Sequence, residues 1–169
     1  MKKLSFLLIF ITTLIQCKKD NSTTDPSVCN IENARAVNAT KVTITNGIWG
    51  TVSSMEGNCM PPTNPTYCKH CPVKRTIQVY QYTLQNQATP YGNSGVFFDS
   101  FSTALVAQTT ADDDGFFQMN LPAGHYTIAI IENGKLYANG SDGFGGITAF
   151  THTSGTQMLN LTMTYKAAF

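Results

Sequence analysis

Cys59, Cys68, His70 and Cys71 fall in one short stretch, with Cys29 upstream. Cys68-Lys69-His70-Cys71 has the CxxC spacing shared by metal knuckles and thiol–disulfide enzymes. Three chemistries are open to these residues. In an oxidising compartment four thiols form two disulfides, and three pairings are available. Cys59, Cys68, His70 and Cys71 also form a soft donor set for tetrahedral zinc. A redox pair is the third reading, but it wants a βαβ setting, and here the surroundings are strand-like and rich in proline. A structural zinc site usually shows two paired ligand sets, so disulfides are the expectation, with no metal and no other cofactor.

Other chemistry-bearing residues are sparse. Asp112-Asp113-Asp114-Gly115 offers oxygen donors for Ca²⁺, but an EF-hand loop alternates its ligands and closes on a distant glutamate. A charged, solvated turn is the simpler reading. His70, His125 and His152 are dispersed, and no serine stands in a GxSxG setting. Gly143-Phe144-Gly145-Gly146 has no strand-to-helix context, so it reads as a flexible hairpin tip and not a phosphate loop. The chain is therefore expected not to be an enzyme. Tyr80, Tyr82, Tyr91 and Phe144 are the binding candidates, able to stack on a sugar or pack on a protein partner. Trp49 is expected in the core.

The compartment that decides the cysteines is set upstream. Lys2 and Lys3 precede a mostly apolar run, Leu4 to Ile15. That run is short of the ~20 residues that span a bilayer, but it has the length of a signal-peptide core. It ends in Leu14-Ile15-Gln16-Cys17, which resembles the bacterial lipobox. The resemblance implies cleavage before Cys17 and a lipid, palmitate among its acyl chains, on that cysteine. Two or more acyl chains, at ~0.8 kcal/mol per buried methylene, hold a protein stably on a membrane. Cys17-Lys18-Lys19-Asp20 resembles the surface-export signal of Bacteroidetes lipoproteins, with Asn21 where a second acidic residue is usual. Position two is not aspartate, so the expected location is the outer membrane, with exposure at the cell surface as the further expectation.

Lys and Arg number 11 against 10 for Asp and Glu, which leaves no basic surface for nucleic acid. Residues 17–40 are polar and read as a lipidated tether reaching about 25 Å. From Lys41 the pattern has period two. Val42 and Ile44, Ile48 to Val52, Ile77 and Val79, Thr103 to Thr109, Phe116 to Leu121, Tyr126 to Ile131, Ile147 to Thr151 and Leu159 to Tyr165 read as strands. Asn133-Gly134 marks a two-residue hairpin, and residues 53–72 read as an irregular insertion. No segment has a helical period. Seven or eight short strands predict an all-β, antiparallel Greek-key β-sandwich over residues 41–169, behind a signal peptide at 1–16.

Asp112-Asp113-Asp114-Gly115-Phe116-Phe117 followed by Leu121-Pro122-Ala123-Gly124-His125-Tyr126-Thr127-Ile128 resembles the hairpin motif of carboxypeptidase regulatory-like domains. These are similar to transthyretin (prealbumin) and collagen-adhesin B repeats. Gly115 and Gly124 then stand at turns that want positive φ. A further resemblance, to a Bacteroidetes lipoprotein subfamily, is carried by residues 56–61, 73–80, 136–139 and 142–143, and together the two cover about residues 48–169. They imply a Greek-key sandwich serving as a stalk, spacer or binding module. A hydrolase of 5-hydroxyisourate shares the transthyretin-like fold, but its family closes on Tyr-Arg-Gly-Ser, where this chain has Tyr165-Lys166-Ala167-Ala168. The activity is not expected here. A membrane-anchored binding or structural module, with a protein or glycan partner, is the functional expectation. Its rivals are an accessory subunit of a surface nutrient-uptake assembly and an envelope metal or redox protein built on the cysteine cluster.

Overall fold

The computed structural model describes residues 29–64 and 66–169. The expected signal peptide, Cys17 and the first part of the tether lie outside the described residues. In chain order the elements are α1 (Ile31–Ala39), β1 (Gly47–Asn58), β2 (Cys68–Pro72), β3 (Thr76–Gln81), β4 (Ala88–Pro90), β5 (Phe97–Phe101), β6 (Leu105–Thr110), β7 (Phe116–Met119), β8 (Gly124–Glu132), β9 (Lys135–Tyr137), β10 (Ala149–His152), β11 (Thr156–Met158) and β12 (Leu161–Ala168). They form the expected all-β sandwich of two sheets.

β1 is the spine of the first sheet. One of its edges is shared by β7 and β2, both antiparallel, and the other by β11 and β12, both parallel. The parallel pairings are invisible to an alternation pattern, which reads faces and not neighbours. Where β11 gives way to β12 the chain crosses Gly50, whose Cβ would lie 2.1 Å from the Leu159 carbonyl oxygen. Only glycine permits that approach. The second sheet runs β4-β5-β9-β8-β3-β6, with β10 on the free half of β8. Asn133 and Gly134, at φ 52° and 75°, make the expected hairpin between β8 and β9.

Alternation fills the space between the sheets. Ile48, Val52 and Phe117 from the first sheet meet Ile77, Val79, Ile128 and Ile130 from the second. Each such side chain contributes about 1.5–3 kcal/mol by leaving water. A second cluster, Phe98, Phe101, Ala129, Leu136, Ala138 and Ile147, covers the outer face of the second sheet. Phe98 and Phe101 of β5, beyond β9 in the same sheet, supply its two aromatic rings.

Four local expectations change. Cys29 to Thr40 is not free tether: Asn30 caps α1 by accepting the Asn33 N–H at 2.9 Å, and the helix docks on β1. Its buried positions are Ile31 and Asn38. With a polar residue at the second inward position, the apolar period of a helix is missing from the sequence. Residues 53–72 are partly regular, since β1 runs on to Asn58 and β2 pairs back on it. Val42 and Ile44 belong to no strand; this segment hangs on Gln118, whose side-chain carbonyl accepts the Thr43 N–H at 2.9 Å. Gly124 does not take positive φ, unlike Gly115 at 73°. Its role is clearance, because a Cβ would lie 2.6 Å from the Tyr126 ring, whose hydroxyl donates to the Pro122 carbonyl.

Candidate functional site

The cysteine cluster resolves into two disulfides, Cys29–Cys71 and Cys59–Cys68. The CxxC pair does not close on itself. Cys68 and Cys71 are three apart on one strand, and period two turns them to opposite faces. Zinc ligation requires thiolate, and these four sulfurs are paired in bridges. Among the described residues no group of His, Cys, Asp or Glu is placed to hold a metal ion. His70, the one imidazole of the four-residue zinc reading, pairs its Nε2 with the Ser53 hydroxyl at 2.9 Å. Burial, followed by the charge of Arg35, lowers its pKa and favours the neutral ring.

The aspartate turn is occupied by lysine. Lys41 Nζ donates to Asp112 Oδ2 at 2.9 Å and Asp114 Oδ2 at 2.8 Å, and Lys74 reaches Asp113 at 3.2 Å. Asp112 Oδ1 also accepts the backbone N–H of Asp114 and Phe116. Burial alone would raise the Asp112 pKa, but the bonds from Lys41 and Phe116 outweigh it and hold it below its ordinary value. The carboxylates that would ligate Ca²⁺ thus fasten the segment after α1 to the β6–β7 turn.

The imidazoles do not converge. His125 and His152 sit on neighbouring strands, yet His125 is exposed while His152 is 1% exposed. His152 lies on β10, which among the described residues pairs only with β8, yet its side chain is buried. Neither of its ring nitrogens has a partner among the described residues.

The aromatic candidates divide. Trp49 is half-buried on the face opposite Ile48, outside the core where it was expected. Tyr80 packs edge-on against Phe101 at 5.1 Å in the outer cluster. Tyr91 is exposed but has Lys135 Nζ 4.5 Å over its ring. Tyr82 stacks on His125 at 4.2 Å and donates its hydroxyl to Asp142 Oδ2 at 2.7 Å. Phe144 stands alone at 88% exposure.

That exposure is built into the loop. Asp142 Oδ1 accepts the N–H of Phe144 at 2.8 Å and of Gly146 at 2.9 Å, while Oδ2 takes the Tyr82 hydroxyl. The Tyr82 bond first, then the backbone N–H groups, hold the Asp142 carboxyl below its ordinary pKa. Leu84 bridges Gly146, and Ser141 bridges Ile147. The expected flexible tip is therefore a braced turn presenting one apolar ring. Asp-Gly at 142–143 signals the turn locally; the brace from Tyr82, 60 positions away, leaves no local mark. The loop lies beside His125 at the start of β8, at the end of the sandwich away from Ser54, where Cys71 and its bridge to Cys29 pair. No protein-family model, curated protein or solved structure matches this chain.

Proposed function

We propose that this protein is an envelope lipoprotein, held on the outer membrane through lipid on Cys17, whose β-sandwich is a non-catalytic module that binds a protein or glycan partner. The observation that carries the reading is the braced loop at Ser141–Gly146. A ring at 88% exposure forgoes burial, and three hydrogen bonds to Asp142 keep it there. Pre-ordering a contact lowers the entropy lost on binding. The bridge at Cys29 lies toward the other end of the sandwich, so a chain tethered through residues 17–28 would present Phe144 away from its anchor. The two disulfides suit an oxidising envelope. The resemblance to carboxypeptidase regulatory-like domains, which serve as stalks and binding modules, points the same way.

The test places a photo-crosslinking residue at position 144 in intact cells, with position 93 on another exposed loop as control. A discrete adduct from 144 alone supports the module, and its mobility after glycosidase or protease treatment tells glycan from protein. Asp142→Asn should leave the thermal midpoint unchanged, speed amide exchange at Phe144 and Gly146 by about an order of magnitude, and weaken the adduct. Equal labelling from 93 and 144, or none from either, would count against the reading.

A further inference from the structure

A cleft of about 230 Å³ opens on the flank of the sandwich. It lies where both sheets change partners. β8 is paired by β10 over residues 124–127 and by β9 over 130–132. Facing that break, β1 passes from β11 to β12, with Leu159 and Asn160 between them. Ile128, Ile130, Tyr137, Phe150, Leu159 and Leu161 form the apolar walls. Asn139, Thr148, Asn160 and Thr162 add amide and hydroxyl groups, and among the described residues no Asp, Glu, Lys, Arg or His lines the space.

Among the described residues, two polar groups there are not used by the fold. Thr148 Oγ1 is buried with no partner among the described residues. Its backbone has φ 37°, a left-handed conformation that a β-branched residue resists. Two backbone bonds hold it there, Thr148 N–H to Gly140 O at 2.8 Å and Ile128 N–H to Thr148 O at 3.2 Å. Asn160 spends its Oδ1 on the Thr51 N–H at 2.9 Å, which leaves the two N–H donors of its amide.

We propose that this cleft is a binding site for a small uncharged ligand with an apolar body and a single hydroxyl or carbonyl group. A cavity of roughly 150 Å³ takes benzene, so this one suits on the order of eight to ten heavy atoms. The lining sets the chemistry. An ion would lose its water with no opposite charge to replace it. A free sugar, hydroxylated on every side, would leave most of its hydroxyls unpaired against the apolar walls. One polar group is matched by Thr148 Oγ1 or the Asn160 amide.

The probes are benzyl alcohol, benzoate and benzylammonium, which share one shape and differ in charge. They are titrated into the exported chain carrying Cys17→Ser, which drops the lipid and keeps every folded residue. Methyl NMR signals of Ile128, Ile130, Leu159 and Leu161 report occupancy. Benzyl alcohol should give saturable shifts at these methyls and bind about tenfold or more tighter than either ion. Thr148→Val should weaken benzyl alcohol several-fold and leave toluene unchanged. Leu159→Trp should fill the cleft and abolish the shifts at Ile128 and Ile130; if that variant does not fold, the wild-type titration decides alone. No saturable shift from any probe, equal binding of the ions, or an equal effect of Thr148→Val on toluene would overturn the proposal. No partner molecule enters this experiment, so it stands or fails separately from the crosslink at Phe144.

Discussion

Glu132 keeps a carboxylate at 3% exposure because Arg75 Nε and the Tyr165 hydroxyl both donate to it. Burial alone would raise its pKa; the two hydrogen bonds and the Arg75 charge outweigh that and hold it below the ordinary glutamate value of 4.5. The sign follows from the linkage of protonation to folding. A depressed carboxylate adds stability that is fully present above its unfolded value and is lost as pH falls through the lower folded value. Stability should therefore decline on acidification below about 4.5. Arg75→Ala should cost about 2 kcal/mol at neutral pH and flatten that acid limb. The cost is below that of a fully enclosed pair because the Arg75 side chain is 35% exposed. Urea unfolding across pH checks this, and an unchanged acid limb would refute it. His152 gives the opposite expectation. With both ring nitrogens buried and without a partner among the described residues, His152→Leu should stabilise by about 1 kcal/mol, and a loss of stability would reveal a partner. Neither residue was legible as a site, since the partners of Glu132 lie 57 and 33 positions away.

At the scale of elements, α1 shows how a segment of polar composition joins a domain. Asn38 is completely buried and donates to Thr51 Oγ1 at 2.9 Å and the Asp114 carbonyl at 3.0 Å. Cys29–Cys71 and the ion pairs of Lys41 hold its two ends. The two disulfides close loops of different length, with sequence separations of 42 and 9. In the chain-entropy account the longer loop contributes more. Replacing Cys29 and Cys71 with serine should cost about 4 kcal/mol, against about 2.5 kcal/mol for Cys59 and Cys68. Urea midpoints of the two double variants test the order. Equal losses would mean that loop closure is not their main contribution. The strands were legible because alternation records which side chains face the core. β2, β4 and β5 were hidden because prolines, cysteines and polar residues interrupt alternation at sheet edges and over the outer cluster.

For the whole molecule the questions are where it sits and which way it faces. No helix among the described residues is long and apolar enough to cross a membrane, and the lipid expected on Cys17 is the proposed anchor. Wild-type protein should incorporate labelled palmitate and sediment with outer membranes, while Cys17→Ser should do neither. A wild-type chain that takes up no label would sink the lipid reading. Protease added to whole cells tests the facing: digestion supports surface exposure, and full protection rejects it. The topology makes one demand of that geometry. The Cys29–Cys71 bridge and the Phe144 loop lie toward opposite ends of the sandwich, so cleavage near residue 144 should precede loss of the membrane-bound fragment.

The sequence by itself determined the features written in neighbouring residues. Period two marked the core strands, Asn133-Gly134 and Asp112 to Gly115 marked turns, and the apolar run before Cys17 set the expected compartment. These are legible because backbone geometry and strand alternation are local. Tertiary structure decided everything that depends on which distant segments meet. It chose one disulfide pairing of three, turned Asp112 and Asp114 onto Lys41, and packed Tyr80 edge-on against Phe101 while leaving Phe144 bare. It also opened a cleft where two sheets change partners at the same level. A side chain's type limits what it can do, but its neighbours decide whether it is core, brace or contact, and here those neighbours are set by sheet topology.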